Sequence, residues 1–395
     1  MEPVSTCKLF GAVRAAAAMK NTLPVIHGPR GCGYHIRYLL TARGGKRIRI
    51  ASTELVEEDV VFGASDKLRR TLMNADETHN PDLMVVMSSC ATSIIGEDIR
   101  RVAEESAGDL GSEVITVSAG GFESTQGEGY EEVMTALIEK FCLEGEPPRE
   151  PGVNIIGEFR GGPDLRHITG SLEMMGVSVN CVLTAGCTLD DVRRIPSAHL
   201  NLSFCDVSGI GPCRLLEEKF GIPFHHHPFP MGLSNSREFY AGILRYFSID
   251  YPLEEVYHDF MDALMDRAAE LKGLRAAIVS GPTRAAALAG LLSELGMEVA
   301  LVSMDMIGEY TLENLGRVPG FRSRVLVGTD VSDVEDALRD AEPDVIVGGL
   351  AETCLSEGLR MPLVDVMHGS VLTAGFQGAL NVADKIRDAV SCSRG

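Results

Sequence analysis

The chain lacks most of the features by which metal and nucleotide sites are usually recognised. It has no C-x2-C pair, so neither a ferredoxin run nor a zinc ribbon is encoded. It has no Walker-type phosphate loop, and HGPRGCG and VGGLAE depart from the dinucleotide fingerprint. Any ATP hydrolysis coupled to this protein therefore belongs to a partner. Positive charge is scarce: 36 Lys and Arg against 56 Asp and Glu give a formal charge of −20, which disfavours nucleic acid and anionic membranes. No secretory n-region precedes Cys7, and no apolar run reaches the roughly 18 residues of a membrane span. The expectation is a cytoplasmic protein. Sequence repeats and low-complexity segments are also absent, so any likeness between its parts is one of pattern.

What is present is a long alternation of apolar runs and helical patterns, the signature of stacked βαβ units. Strand candidates are PVIHG, RIRIAS, LMVVMS and VITVSAG, then VNIIGEF, VSVNCVLTA and HLNLSF, then AAIVSGP, EVALVSM, RVLVGTD, DVIVGGL and PLVDVMH. At 395 residues the chain exceeds one ordinary core. The Pro/Glu-rich EGEPPREPG and the polar run from Tyr251 to Lys272 are the natural boundaries. The expected fold is α/β: three Rossmann-like domains, 1–150, 151–270 and 271–395, with parallel sheets around a central cleft.

Among ten cysteines, three sit where strands give way to turns or helices. Cys32 ends LPVIHGPRGC and Cys90 ends PDLMVVMSSC, which puts two thiols on one sheet rim, where open α/β sheets bind ligands. Cys7 precedes the helical KLFGAVRAAAAMK, whose amino end favours a thiolate. The three read as ligands of an iron–sulfur cluster, and one chain then leaves a cubane a ligand short, which a partner across an interface would supply. The competing reading is that they are buried structural thiols, as Cys142, Cys181, Cys213 and Cys392 are expected to be core or surface thiols. Around the rim, His27, Arg30, His35, Glu54 and Glu97 are polar candidates. Arg30 and His35 could tune a cluster's potential, whereas Glu97 and Asp98 could simply begin a helix.

CKLFGAVRAAAAMKNTLPVIHGPRGC, FGASDKL and PDLMVVMSSCATSIIGEDI resemble the amino-terminal domain of the nitrogenase component 1 family, which includes a cofactor scaffold and the dark-operative protochlorophyllide reductases. Similarity continues through GGFESTQGEGY and AHLNLSFCDVSGIGPCRLLEEKFGIPF to the carboxyl-terminal PDVIVGGLAETCLSEGLRMPLVDVMHGSVLTAGFQGALNVADKI, nearly the whole chain. The resemblance implies that Cys7, Cys32 and Cys90 ligate an interface iron–sulfur cluster, 4Fe-4S or larger, in a homodimer or a heterodimer with a related chain. It also implies an ATP-hydrolysing iron-protein-like reductase that docks above that cluster. Cys205 and His368 fall where that family's catalytic subunit caps a second, complex iron–sulfur cofactor; they equally suit a small buried thiol and a loop histidine.

His225, His226 and His227 correspond to a loop lining the family's active-site cavity and are candidate proton donors, or a solvated histidine loop. SGPTRAAALAG opens a helix after a strand, and Arg284 is its one obvious counter-charge for a cofactor. GPTR replaces the family's arginine- and glycine-rich cofactor loop, which argues against a molybdenum–homocitrate group and against dinitrogen reduction. Three expectations follow. The first is a reductase of a substrate in the inter-domain cavity, on the pattern of the nickel-tetrapyrrole reductive cyclase. The second is a reductase using a complex cofactor at Cys205 and His368. The third is a scaffold that assembles such a cofactor.

Overall fold

The structure, a computed structural model, describes residues 6–42, 48–145, 149–349, 353–367 and 371–394. Among these, thirteen strands form three sheets in which every strand pairing is parallel. The first contains β1 (Thr22–His27), β2 (Ala51–Ser52), β3 (Leu83–Ser88) and β4 (Glu113–Val117) in the order β2-β1-β3-β4. The second contains β5 (Gly152–Glu158), β6 (Ser178–Thr184), β7 (Leu200–Ser203) and β8 (Phe224–His226) in the order β6-β5-β7-β8. The third, β9 (Arg275–Val279), β10 (Glu298–Met304), β11 (Arg324–Val327), β12 (Val345–Gly348) and β13 (Leu363–Asp365), runs β11-β10-β9-β12-β13. The α/β class with parallel sheets is as expected.

The apolar runs form central strands because helices cover both sheet faces. All six residues of β3 are buried: Leu83, Val85 and Met87 enter one core, while Met84 and Val86 enter another on the opposite face. Two of the cores extend from one sheet to the next. Val85 and Met87 share a cluster with Ile156 and Leu183 of the second sheet, and Ile155 and Leu202 share one with Ile278 and Val347 of the third.

Two expected elements differ. Among its described residues RIRIAS contributes only Ala51 and Ser52 as strand, at a sheet edge where both residues are half-buried and apolar burial drives extension weakly. His225 and His226 belong to β8 itself, paired with Leu202 and Ser203 of β7, because in-register pairing to a buried neighbour overrides the low strand preference of histidine.

Strand order positions the sites. In each sheet the chain starts at a central strand, extends to one side, then returns to extend to the other. The reversal falls between β1 and β3, between β5 and β7, and between β9 and β12. The crevice beyond the carboxyl ends of such a strand pair is where open parallel sheets bind ligands. Cys32 and Cys90 follow β1 and β3, Arg160 and Cys205 follow β5 and β7, and Arg284 follows β9.

Candidate functional site

The first crevice brings Cys7, Cys32 and Cys90 together. Each thiol lies at the amino end of a helix: Cys7 caps Lys8–Ala18, Cys32 is in the first turn of Arg30–Ala42, and Cys90 opens Cys90–Ile95. Helix amino ends carry partial positive charge and favour thiolates. The turn before Cys90 is fastened to the end of β1, with the Ser89 amide donating to the His27 carbonyl at 3.1 Å and the Thr92 hydroxyl to the same oxygen at 2.8 Å. Cys7 is held to the following loop by an isolated bridge to Thr125, and that loop lays Gly121 across Cys7 and Cys90. The Gly121 amide donates to Cys90 Sγ at 3.2 Å. A Cβ on Gly121 would fall 2.9 Å from Cys7 Cβ and 3.3 Å from both Cys7 Sγ and Cys90 Sγ, so only glycine closes over the pair.

The thiols sense one another. Burial pushes Cys32 up, and the neighbouring Cys90 and Cys7 push it further. Among the described residues no three His, Cys, Asp or Glu side chains converge on a point that suits a single metal ion. Three thiols gathered at one end of a parallel sheet are the donor type that polynuclear iron–sulfur clusters use. The Gly121 cradle and the all-sulfur donor set therefore fit an iron–sulfur group. Apolar side chains surround the rim in the open: Tyr34 69%, Val61 74%, Phe62 86%, Ile94 72% and Phe122 61% exposed.

Of the other rim residues, His27, Glu97 and Asp98 serve the fold. His27 is fully buried, its Nδ1 against the Thr53 hydroxyl at 3.2 Å and its Nε2 3.8 Å from Glu97; burial lowers its pKa against the pull of Glu97. Glu97 accepts from the Ala64 amide and the Ser65 hydroxyl, and so caps the helix Ser65–His79; Asp98 caps its own helix through the Arg101 amide. Arg30 and Glu54 form an exposed ion pair at 3.7 Å, and His35 is exposed.

The second crevice opens into a cavity of about 160 Å³ where the three sheets meet. Its walls include Cys205, Arg14, Arg160, Arg284, Gln126 and Tyr130. Cys205 follows β7 in the tight turn whose Gly209 amide donates to the Cys205 carbonyl at 2.9 Å. Burial pushes its thiol up, while the Ser208 hydroxyl and the Ser208 and Val207 amides pull it down. Next to it, Asp206 is buried and tied to the third sheet, accepting from the Tyr310 amide at 2.8 Å and from the Thr311 hydroxyl.

Three guanidiniums share this space. Arg284 pairs with Asp164 at 2.8 Å, donates to the Thr373 hydroxyl at 3.1 Å and lies 4.5 Å over the Phe229 ring. Burial alone would raise Asp164, but Arg284 and the Thr373 hydrogen bonds hold its carboxyl low. Arg160 reaches the Met367 carbonyl at 2.8 Å, and Arg14 reaches the Tyr130 hydroxyl at 3.2 Å. Crowding by the cavity walls, then by Arg14 and Arg284, lowers the Arg160 pKa, but its side chain stays open to water and charged at neutral pH. The walls hold one thiol and three guanidiniums beside two carboxylates, Glu158 and Asp305, so a metal–sulfur group has there both a sulfur anchor and cationic hydrogen-bond donors. The cavity lies below the roughly 300–1,000 Å³ of pockets that enclose larger organic ligands.

His225, His226 and His227 are not among the lining residues of this cavity. They stand behind it: His225 packs edge-on against His227 at 5.5 Å, His226 stacks on Tyr310 at 4.4 Å, and His227 sits over Gly242. Burial lowers the pKa of all three, that of His227 to about 4. They are neutral at neutral pH, a state that can accept but not readily donate a proton. His368 lies outside the described residues.

Sequence reasoning missed Arg14, Arg160, Gln126 and Tyr130. Arg160, two residues beyond the end of β5, obeys the same strand-end rule that singled out Cys205. The other three come from helices of the first third, and no local signal marks them.

The family model for nitrogenase component 1 type oxidoreductases matches residues 7–391. Nitrogenase molybdenum-iron protein alpha chain of Methanothermobacter marburgensis is 31% identical, with 95% of this chain and 85% of the relative covered. Nitrogenase iron-molybdenum cofactor biosynthesis protein NifE of Methanococcus maripaludis is 29% identical, covering 98% of this chain and 83% of its own. The solved structure "Nitrogenase Cp1 at pH 6.5" superposes with a TM-score of 0.90 at 20% identity, covering 100% of this chain and 94% of that one, and so shares the fold.

Proposed function

Because the chain belongs to the nitrogenase component 1 type oxidoreductase family, we propose that it is the electron-accepting, cofactor-holding component of an iron–sulfur reductase. Cys7, Cys32 and Cys90 hold the entry cluster at an interface with a second or related chain, and Cys205 anchors a complex metal–sulfur cofactor in the central cavity. The observation that carries this reading is the Cys205 thiol fixed in a cavity ringed by Arg14, Arg160 and Arg284.

Iron–sulfur groups supply reversible one-electron storage. The chain's residues do the rest. The Gly121 amide donates to the Cys90 thiolate and so favours the more negative, reduced state. The exposed apolar ring of Tyr34, Val61, Phe62, Ile94 and Phe122 gives a partner chain a surface that excludes water from the thiols. Gln126 spans the two sites: its Oε1 accepts from the Thr6 hydroxyl at 2.7 Å, next to Cys7, and its Nε2 donates to Asp305 in the cavity wall at 2.7 Å. Tyr130 stacks on Phe159 at 4.1 Å and holds a protic hydroxyl beside Arg14. Low-potential electrons come from an ATP-hydrolysing iron-protein-like partner, consistent with the lack of a phosphate loop here. No described helix is long and apolar enough to cross a membrane.

Two points favour this reading over tetrapyrrole reduction. The cavity is small for a macrocycle, and the names of the two relatives above, a molybdenum-iron protein alpha chain and an iron-molybdenum cofactor biosynthesis protein, both concern a metal cofactor. We set domain limits near 150 and 270, with the entry thiols on the first unit and the cavity between all three.

The test is iron content and Mössbauer spectroscopy on anaerobically isolated protein with its native partner chain. A bridging cubane of four irons gives about two per chain. The proposal expects more than that, with the excess species lost in Cys205→Ala and the entry-cluster signal kept. Iron content unchanged by Cys205→Ala overturns the cavity assignment. Cofactor that stays bound through turnover marks a catalyst, and cofactor that transfers to another protein marks a scaffold.

A further inference from the structure

Lys8 adjoins Cys7 and is 3% exposed, yet it carries a full charge. Its Nζ lies 3.1 Å from Glu123, 3.1 Å from Glu128 and 2.6 Å from Glu132. A buried ammonium with three carboxylates is more than helix pairing needs. One acceptor would satisfy the charge, and the other two cost desolvation of their own.

The three carboxylates come from different places. Glu128 and Glu132 are one turn apart on the helix Gln126–Phe141, whereas Glu123 ends the loop that crosses the thiols. That loop turns tightly, with the Glu123 amide donating to the Gly120 carbonyl at 3.0 Å. Its next residue, Ser124, accepts from the Lys8 amide at 3.1 Å. The Glu123 side chain folds back so far that a Cβ on Gly120 would meet its Oε1 at 2.6 Å. Lys8 therefore joins the loop to the helix and to the Cys7 segment through a single ammonium.

We infer that Lys8 is a positioning residue for the entry cluster: by holding Glu123 it pins the 120–124 loop so that the Gly121 amide stays on the Cys90 thiolate beside Cys7. The inference rests on the entry-cluster reading above. A pinned N–H aimed at a thiolate stabilises the reduced cluster and sets its potential, whereas a loose loop admits water and loses the bond. Lys8 itself touches none of the reacting atoms.

The experiment compares Glu123→Gln with Glu132→Gln in the assembled protein. Both remove one carboxylate from the same ammonium and the same unit of charge, but only the first frees the loop. Two readouts are taken: hydrogen exchange at the Gly121 amide, in iron-free and iron-loaded protein, and the midpoint potential of the entry cluster by EPR-monitored titration. The expected result is that Glu123→Gln speeds exchange at Gly121 by tenfold or more and shifts the potential negative of the Glu132→Gln value. Lys8→Arg, which keeps the charge and can still reach Glu123, retains slow exchange.

Equal behaviour of the two glutamate variants, changed or unchanged together, overturns the clamp. If the wild-type chain binds no cluster at these thiols, the entry-cluster reading fails. Exchange at Gly121 in the iron-free protein still decides whether Lys8 and Glu123 pin the loop.

Discussion

A Cβ on Gly157 would lie 2.9 Å from the Cβ of Cys205, so the thiol in the central cavity reaches its position only because the strand beside it has no side chain there. Gly157 has φ +88° and marks a shift in register between β5 and β6, a bulge that turns the end of β5 toward the cavity. Gly157→Ala combines left-handed strain with that contact and is expected to cost about 1–3 kcal/mol. It should also displace Cys205. Urea unfolding measures the first effect. Loss of the Cys205-dependent iron species with the entry-cluster signal intact measures the second. A variant with full cavity iron would mean that Cys205 is not positioned by this contact.

The histidines at the end of β8, His225 to His227, predict an acid-sensitive fold. Burial first, then the neighbouring His225 and His226, lower the pKa of His227 to about 4, and burial moves the other two in the same direction. In the unfolded chain each titrates near 6.5, so the unfolded state binds protons first. The neutral ring's contribution is complete above about pH 6.5 and is lost as pH falls through 4. For His227 alone it is on the order of 3 kcal/mol. Urea midpoints should fall steadily from pH 7 to pH 4, and His227→Gln should flatten that slope. An unchanged slope would show that His227 is protonated or hydrated in the folded protein.

The apolar runs made the first and third sheets legible, since β3, β9 and β12 are buried on both faces and carry polar residues only at an end, Ser88 and Arg275. The thiol rim was legible for the same reason: Cys32 and Cys90 directly follow such strands. Where burial is partial the signal weakens, as at RIRIAS, and where pairing alone makes the strand, as at His225 and His226, it vanishes. The cation cluster was half legible. Arg160 and Arg284 follow β5 and β9, but Arg14 reaches the cavity from a helix of the first unit, and nothing in RAAAAMK says so. Lys8 met its three glutamates only through folding, because Glu123 is 115 positions away and charge patterning along the chain does not reach that far.

The crowding of Arg14, Arg160 and Arg284 predicts that anions stabilise the cofactor-free chain, against its overall charge of −20. Arg284 is already paired with Asp164, so the repulsion to be relieved lies chiefly between Arg160 and Arg14. A divalent anion bound there lowers the free energy of the folded state only and raises Tm by mass action. Sulfate should therefore raise Tm more than chloride at equal ionic strength, and Arg160→Gln should remove most of the difference while lowering anion-free stability little, because Arg160 is water-accessible and its one described side-chain bond is to the Met367 carbonyl. Surface lysines and arginines would give the same sulfate effect in wild type and variant. Persistence of the full difference in Arg160→Gln would thus move the anion out of the cavity and leave Cys205 without the electrostatic partner that the proposed cofactor needs.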